Sequence, residues 1–202
     1  MSNSGAVVHL HITARDADGK VIADFDKLGD PLTDQWQAIT AAMFKNMCGL
    51  SGTSSSTQTF SCKDTTGTAR TLGGAASNGS PFFSSALAGV SGSIQVGIGT
   101  STTTATHADY GLNTAISGAT GYPAISTFAT ANPSGNIDTV QFSVTITLSS
   151  QATVAETAVF MVVLDSSGTQ RTLCINHDNW PGTLIPANGS ISMNYAYQWN
   201  NS

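Results

Sequence analysis

Alternating apolar and polar residues dominate the chain and predict mostly β-strands. In the segment VVHLHITA, Val8, Leu10 and Ile12 share one face while the intervening residues share the other, which is typical of a half-buried strand. An Asp-Gly turn at residues 18–19 and the run at 21–25 predict its hairpin partner. Further strands are predicted at residues 94–97, 124–130, 139–148, 154–164, 170–175 and 190–199. Strands separated by turn signals in this way predict an antiparallel β-sandwich or jelly roll.

One segment, residues 32–48, repeats its apolar residues at helical spacing. Trp36, Ile39 and Met43 fall on one face, and Asp34 and Gln37 fall on the other. This pattern predicts a single amphipathic α-helix that docks on a sheet through its apolar face.

Residues 51–92 are rich in glycine and serine and show little apolar periodicity. Two short stretches, 57–63 and 69–72, are predicted to pair as a hairpin about the turn at 64–67. A loop this long in a compact domain is commonly functional, disordered, or ordered by a neighbour. We expect one β-sandwich domain over residues 1–202, with 51–92 as a long loop or insertion ordered by neighbouring subunits. No internal repeat stands out.

The composition narrows the class of protein. Charged residues make up 9% of the chain, against about 25% in an ordinary soluble domain, and Ser, Thr, Gly, Ala and Asn take their place. No apolar run approaches the roughly 18 to 20 residues of a membrane span. The net charge is −5 and the basic residues are scattered, so we expect no direct binding to nucleic acid.

The start of the chain and its cysteines bear on the compartment. The first 20 residues lack a basic stretch followed by an apolar one, so we expect no signal peptide and synthesis in a host cytoplasm. Cys48, Cys62 and Cys174 make an odd count with no CxxC motif. Free thiols are therefore favoured, and a Cys48–Cys62 bridge stays open as the alternative.

Two glycine-containing loops resemble a nucleotide-binding loop and a calcium-binding loop, but each lacks residues that such a site requires. The stretch at residues 97–100, GIGT, lacks the lysine of a Walker loop and the third glycine of a dinucleotide fingerprint. It is predicted to be a corner at the end of a strand. A calcium loop beginning at Asp16 requires a glutamate at its twelfth position, where this chain has Lys27.

The remaining titratable residues form no recognisable active site. His9 and His11 share a strand face, but no third metal ligand is evident. Glu156 is the only glutamate and lies in an apolar strand, and His177 lies in NHDNWPG, which has the composition of a turn-rich loop. No GxSxG nucleophile elbow is present. We predict no catalytic residue, no cofactor and no metal, and hence no enzyme.

The C-terminal half, from residue 94 to 199, resembles structural proteins of tailed bacteriophages. In those proteins a G-x-G-T turn, a D-Y/T-x-L turn and a strand of the form t-x-x-E-x-x-[LV]-F follow one another. The counterparts here are VGIGT at 96–100, DYGL at 109–112 and TVAETAVF at 153–160. The linker proline and the glycine after the glutamate, both frequent in such proteins, are absent. The resemblance implies a non-enzymatic virion component: a capsid decoration, head fibre, connector or tail part.

Two functional hypotheses follow. The first is a homo-oligomeric virion protein whose partners are its own copies and other virion proteins, with Trp36, Phe82, Phe83 and Trp180 as candidate interface anchors. The second is a carbohydrate- or cell-surface-binding β-sandwich. Its candidate stacking residues are Trp180, Tyr195, Tyr197 and Trp199, although the alternation of the last three with polar and small residues favours a place in the core for them.

Overall fold

The computed structural model describes residues 7–30, 32–47, 60–72, 94–121, 124–129, 137–167 and 169–200. In chain order the elements are β1 (Val7–Arg15), β2 (Val21–Leu28), α1 (Asp34–Met47), β3 (Phe60–Lys63), β4 (Ala69–Leu72), β5 (Ile94–Gly99), β6 (Ala115–Gly121), β7 (Ala124–Ala129), β8 (Ile137–Thr147), β9 (Ala152–Leu164), β10 (Gln170–Ile185) and β11 (Ser190–Asn200). The protein is mainly β, as its sequence predicts.

Two large antiparallel sheets build the sandwich. One has the order β2-β1-β11-β8-β7, the other the order β10-β9-β5-β6, and β3 and β4 form a separate hairpin. The antiparallel sandwich is thereby confirmed, while the jelly-roll connection pattern stays a prediction. Within the described residues, no helix is long and apolar enough to cross a membrane.

The core lies between the two sheets and follows the alternation of the strands. On β1 the side chains of Val8, Leu10 and Ile12 are buried. The central strand β11 contributes Tyr195 and Tyr197, whose rings lie beside that of Phe142, at centroid distances of 5.1 Å and 5.8 Å. Aromatic and aliphatic side chains thus fill the space between the sheets, which supplies the main driving force for folding.

Helix α1 covers the free edge of β10. The backbone N–H of Thr33 donates to the carbonyl of Ile175 (3.2 Å), and its hydroxyl donates to the carbonyl of Cys174. Ile39 is fully buried, and Trp36 is half-buried against the core. An unpaired strand edge is prone to pairing with other chains, and here the segment that starts the helix occupies it.

Two local predictions need correction, and a third is confirmed in part. The segment NHDNWPG is part of β10 and not a turn-rich loop, because pairing with β9 continues through it with register shifts between Cys174 and Asn176 and between Asn179 and Thr183. Strand β5 runs to Gly99, beyond its predicted end, and β6 was not predicted. Of the predicted long loop at 51–92, residues 60–72 form the predicted hairpin, and the rest lies outside the described residues.

Candidate functional site

Three side chains at the four-stranded sheet, a carboxylate, an imidazole and a second carboxylate, form a hydrogen-bonded row, here called the Glu156–His177–Asp109 cluster. Glu156 on β9 and His177 on β10 both have fully buried side chains. The Oε2 of Glu156 lies 2.9 Å from Nε2 of His177, and Nδ1 of His177 lies 2.6 Å from Oδ2 of Asp109. Each ring nitrogen of His177 therefore has a carboxylate oxygen within hydrogen-bond distance. The Glu156–His177–Asp109 cluster joins β9 and β10 to the loop that carries Asp109.

The Glu156 carboxylate also holds that loop, residues 100–114, by its backbone. It accepts the N–H groups of Thr114 (2.7 Å), Asn113 (2.9 Å) and Ser101 (3.3 Å). Gly99 makes this approach possible, because a Cβ there would meet the Glu156 carboxylate and would lie 2.5 Å from the carbonyl oxygen of Thr114. N–H groups that a phosphate-binding loop directs at an anion are here bonded to a carboxylate of the same chain.

Asp109 is the carboxylate at the loop end of the Glu156–His177–Asp109 cluster. Burial alone raises the pKa of its carboxyl, but hydrogen bonds from Thr106 and His177 outweigh burial, so the pKa lies below its usual value. The Thr106 N–H and hydroxyl donate to the two oxygens at 2.9 Å and 2.8 Å. Asp109 is thus held ionised next to the imidazole. The arrangement holds the loop on the sheet, and both ring nitrogens of His177 lie against carboxylates.

A second buried charge connects the two sheets. Asp178 on β10 is fully buried and accepts from the Lys27 ammonium of β2 (3.2 Å) and from the N–H of Asp30 (2.5 Å). Lys27 also pairs with the Asp30 carboxylate (2.7 Å). Burial raises the pKa of Asp178 above its usual value, although the attraction of Lys27 opposes that rise.

Four buried polar atoms near this pair have no hydrogen-bond partner among the described residues. They are Oδ1 of Asn176, Oδ2 of Asp178, Nε1 of Trp180 and the Tyr197 hydroxyl oxygen. Buried polar groups in native proteins are generally satisfied, often by ordered water. The set contains both donors and acceptors, which suits water between the sheets.

Two turns of similar sequence, with matching hydrogen bonds to a leading aspartate, lie side by side, and this similarity was not predicted from the sequence. The segments DTTGTARTL (64–72) and DSSGTQRTL (165–173) are identical at six of nine positions. In each turn one oxygen of the leading aspartate accepts from the residues two and four positions later, and the other accepts from the arginine six positions later. The expectation of no internal repeat is therefore wrong, and comparison of the chain with itself would have found the repeat.

The two repeated turns bind each other reciprocally. The Thr65 N–H donates to the Thr172 carbonyl (3.1 Å), and the Ser166 N–H donates to the Thr71 carbonyl (2.9 Å). These bonds fasten the β3–β4 hairpin to the end of the β9–β10 hairpin.

The two predicted interface residues that the structure describes, Trp36 and Trp180, both pack against the core. Trp180 is 6% exposed and packs in the core, with its ring 6.3 Å from that of Phe25. Trp36 is half-buried against the same core. Phe82 and Phe83 lie outside the described residues. An interface role for these four residues stays a prediction, and the burial of Trp180 leaves little of its ring for a neighbour.

The candidate sugar-stacking residues of the alternative hypothesis are enclosed where they are described. Tyr195 is fully buried and Tyr197 is 4% exposed. The side chain of Trp199 lies outside the described residues. Any sugar-binding surface therefore has to use other side chains than these two tyrosines.

The apparent metal motifs have other partners. Nδ1 of His11 lies 2.8 Å from Asp26, and its Nε2 lies 3.1 Å from Asp24. The Asp16 carboxylate accepts the N–H groups of Asp18 and Lys20, which makes it a turn cap. In the described part of the chain, no group of three or more His, Cys, Asp or Glu residues is arranged to hold a metal ion.

Two of the cysteines are buried free thiols. They are Cys62 and Cys174, and burial raises the pKa of Cys62 to about 11. At neutral pH Cys62 is therefore a protonated thiol and a poor nucleophile. Cys48 lies outside the described residues.

Comparison with known proteins gives no relative. No family model matches the sequence, and no curated protein or solved structure matches it either.

Proposed function

We propose that the chain is a non-enzymatic structural protein of a virus particle, and that it acts by assembly with its own copies and with other virion proteins. On this proposal it serves as a capsid decoration, head fibre, connector or tail component. It is made in the host cytoplasm and resides in the virion.

One observation carries the proposal. Of the three motifs on which the resemblance to bacteriophage structural proteins rests, TVAETAVF begins more than 40 residues after the other two, and all three meet at Glu156. Glu156 comes from TVAETAVF, it contacts the loop that follows VGIGT, and His177 ties it to Asp109 of DYGL. The motif residues thus have a common physical task, which is to fix a loop on a sheet.

The outer surface of the five-stranded sheet supports the same proposal. On β8 and β11 it presents Gln141, Ser143, Thr145, Ser192 and Asn194, none of which carries a charge, while Asp24 and Asp26 lie at its β2 edge. The surface of hydroxyl and amide groups on β8 and β11 costs less to desolvate than a charged one. It is therefore suited to be covered by another subunit.

Assembly is tested on the purified full chain and on particles. Sedimentation over a wide concentration range should reveal a homo-oligomer, and mass spectrometry of particles purified from cells that carry the gene should detect the chain. A monomer at every concentration, together with its absence from particles, would contradict the proposal.

The predicted contact residues give a test at residue level. Phe82→Ser with Phe83→Ser should shift the oligomer towards monomer, because apolar anchors dominate interface energetics. Leu184→Ser is the matched control, since Leu184 is 57% exposed and was not predicted to be an anchor. An oligomer that survives the double change would remove these phenylalanines from the interface.

A further inference from the structure

An open cleft lies on the four-stranded sheet beside the loop that Glu156 holds, since Leu112 and Ala115 of its lining flank the two residues whose N–H groups Glu156 accepts. It has a volume of about 370 Å³ and is bounded by β5, β6, β9 and β10 and by the turn that carries Thr65. This volume is at the small end of the range for ligand sites, which is about 300–1,000 Å³. None of the described residues that line it is charged.

Four uncharged polar side chains border the cleft. The hydroxyls of Thr65, Thr120 and Thr172 and the carboxamide of Gln95 border it, and none of these four groups has a hydrogen-bond partner among the described residues. Hydroxyl and carboxamide groups each offer both donors and acceptors. They therefore complement a ligand that itself carries several hydroxyl groups.

The floor of the cleft is apolar. Phe160 is half-buried there, and Gly97 lets its ring and the Leu112 side chain pack on the sheet, since a Cβ at Gly97 would lie 3.1 Å from both Cε2 of Phe160 and Cδ1 of Leu112. At Gly111 a Cβ would have only the carbonyl of Thr65 nearby, at 3.6 Å. An aromatic edge surrounded by hydroxyls suits a ring that has an apolar C–H face and a polar rim.

We propose that this cleft binds an uncharged saccharide through Phe160, Gln95 and the hydroxyls of Thr65, Thr120 and Thr172. The lack of charge selects against sugar acids and phosphorylated sugars, because the cleft offers them no counter-charge. The inference is independent of the virion role, and its test leaves the assembly tests unaffected.

Saturation-transfer NMR on the full chain is the direct test, since it reads the ligand and works for a monomer or an assembly. The probes are glucose, galactose, mannose, N-acetylglucosamine, maltose and lactose, with glucuronate as the charged comparison. At least one neutral sugar should receive saturation and titrate with a dissociation constant of about 1 mM, which is a weak affinity. Glucuronate should bind more weakly.

Three variants assign the binding to the cleft. Gly111→Leu should abolish saturation transfer by filling the space, and Thr120→Val should weaken binding about tenfold through the lost hydrogen bond. Thr147→Val, an exposed strand threonine on the other sheet, should leave binding unchanged. Thr120 is itself exposed, so its change tests the cleft even where Gly111→Leu impairs folding.

Three results would overturn the proposal. The first is no transfer to any sugar in the panel, and the second is equal transfer to the wild type and to a folded Gly111→Leu variant. The third is magnetisation transfer from a second copy of this chain to the residues that line the cleft. That result would mean that another subunit, and not a sugar, occupies the cleft.

Discussion

The buried carboxylate of Glu156 restricts which residue can stand at position 99 and fixes the backbone around it. Its carboxylate sits in the space that a side chain at position 99 would need, and the N–H groups of residues 101, 113 and 114 close around it. Burial of a carboxylate is costly unless charge-assisted hydrogen bonds satisfy it. Gly99 is therefore a steric requirement of the glutamate and not a flexible joint.

Gly99→Ala should destabilise the protein by about 3 kcal/mol, because the new methyl group displaces either the carboxylate or the Thr114 backbone. Gly111→Ala is the matched control, since a Cβ there meets only an ordinary contact at 3.6 Å. Urea denaturation of both variants measures the difference. Equal stability of the two variants would show that the loop yields at Gly99.

The leading aspartates of the repeated turns make stability depend on acid pH. Burial alone raises the pKa of Asp64, but hydrogen bonds from Thr66 and Arg70 outweigh burial and lower it to about 2. For the equivalent Asp165, hydrogen bonds from Ser167 and Arg171 likewise outweigh burial and lower the pKa. Groups with lowered pKa values add stability above their usual pKa, and that stability is lost as the pH falls through the folded value.

We therefore expect the free energy of unfolding to fall as the pH is lowered from about 4 towards 2. In Asp64→Asn with Asp165→Asn the fall should be shallower, and each change should cost roughly 2 kcal/mol at pH 7. Denaturation at a series of pH values measures both effects, with the exposed Asp18→Asn as the control. Parallel pH profiles of the double variant and the wild type would contradict this account.

At the scale of elements, the twin turns explain how a short hairpin stays on the body. An isolated two-stranded hairpin is marginally stable in water. The β3–β4 hairpin is stabilised by two hydrogen bonds to the β9–β10 hairpin. The Thr65 N–H in its turn donates to Thr172 on β10, and Thr71 on β4 accepts from the Ser166 N–H in the turn between β9 and β10. Leu72 and Cys62 are buried beneath it.

Thr65→Pro with Ser166→Pro removes both reciprocal N–H donors at turn positions where proline is favoured. The double variant should lose about 2 kcal/mol, roughly 1 per hydrogen bond. Ala17→Pro is the control, since Ala17 holds the same position in the Asp16 turn and its N–H makes no such bond among the described residues. Thermal unfolding with hydrogen exchange of residues 60–72 measures the effect. A loss of the same size in the control would place the cost in the turn itself.

At the scale of the whole molecule, Lys27 and Asp178 link the two sheets by charge. Lys27 belongs to the five-stranded sheet, Asp178 belongs to the four-stranded one, and the Asp178 side chain is fully buried. Removing one partner of such a pair strands the other charge in the core, whereas replacing both costs much less.

Lys27→Met should therefore destabilise the protein by about 3 kcal/mol, the lower end of the range for broken buried pairs, because Lys27 keeps 21% of its side chain exposed. Lys27→Met with Asp178→Asn should recover most of that loss. Urea denaturation of the four members of the cycle measures the coupling. Additive losses would show that the two side chains act independently.

Much of the fold is readable in the sequence, because strand pairing with one buried face leaves a period of two. Val8, Leu10 and Ile12 were assigned to the buried face from alternation alone, and the helix was located to within a few residues at each end. The segment NHDNWPG was misjudged because local turn propensity there is overridden by pairing with β9. The repeated turns were readable but were missed.

The Glu156–His177–Asp109 cluster could not be predicted from patterns of neighbouring residues. Glu156 meets Ser101, which lies 55 positions away, and His177 meets Asp109, which lies 68 positions away, so no spacing rule along the chain connects these residues. The alternating strands, the helix and the turns at 16–19 and 64–67 can be read from the sequence, since they depend on neighbouring residues. The pairing of the buried charges and the fixing of the loop at 100–114 follow from the tertiary structure alone, because folding buries residues from distant segments next to each other and each buried charge needs a partner there.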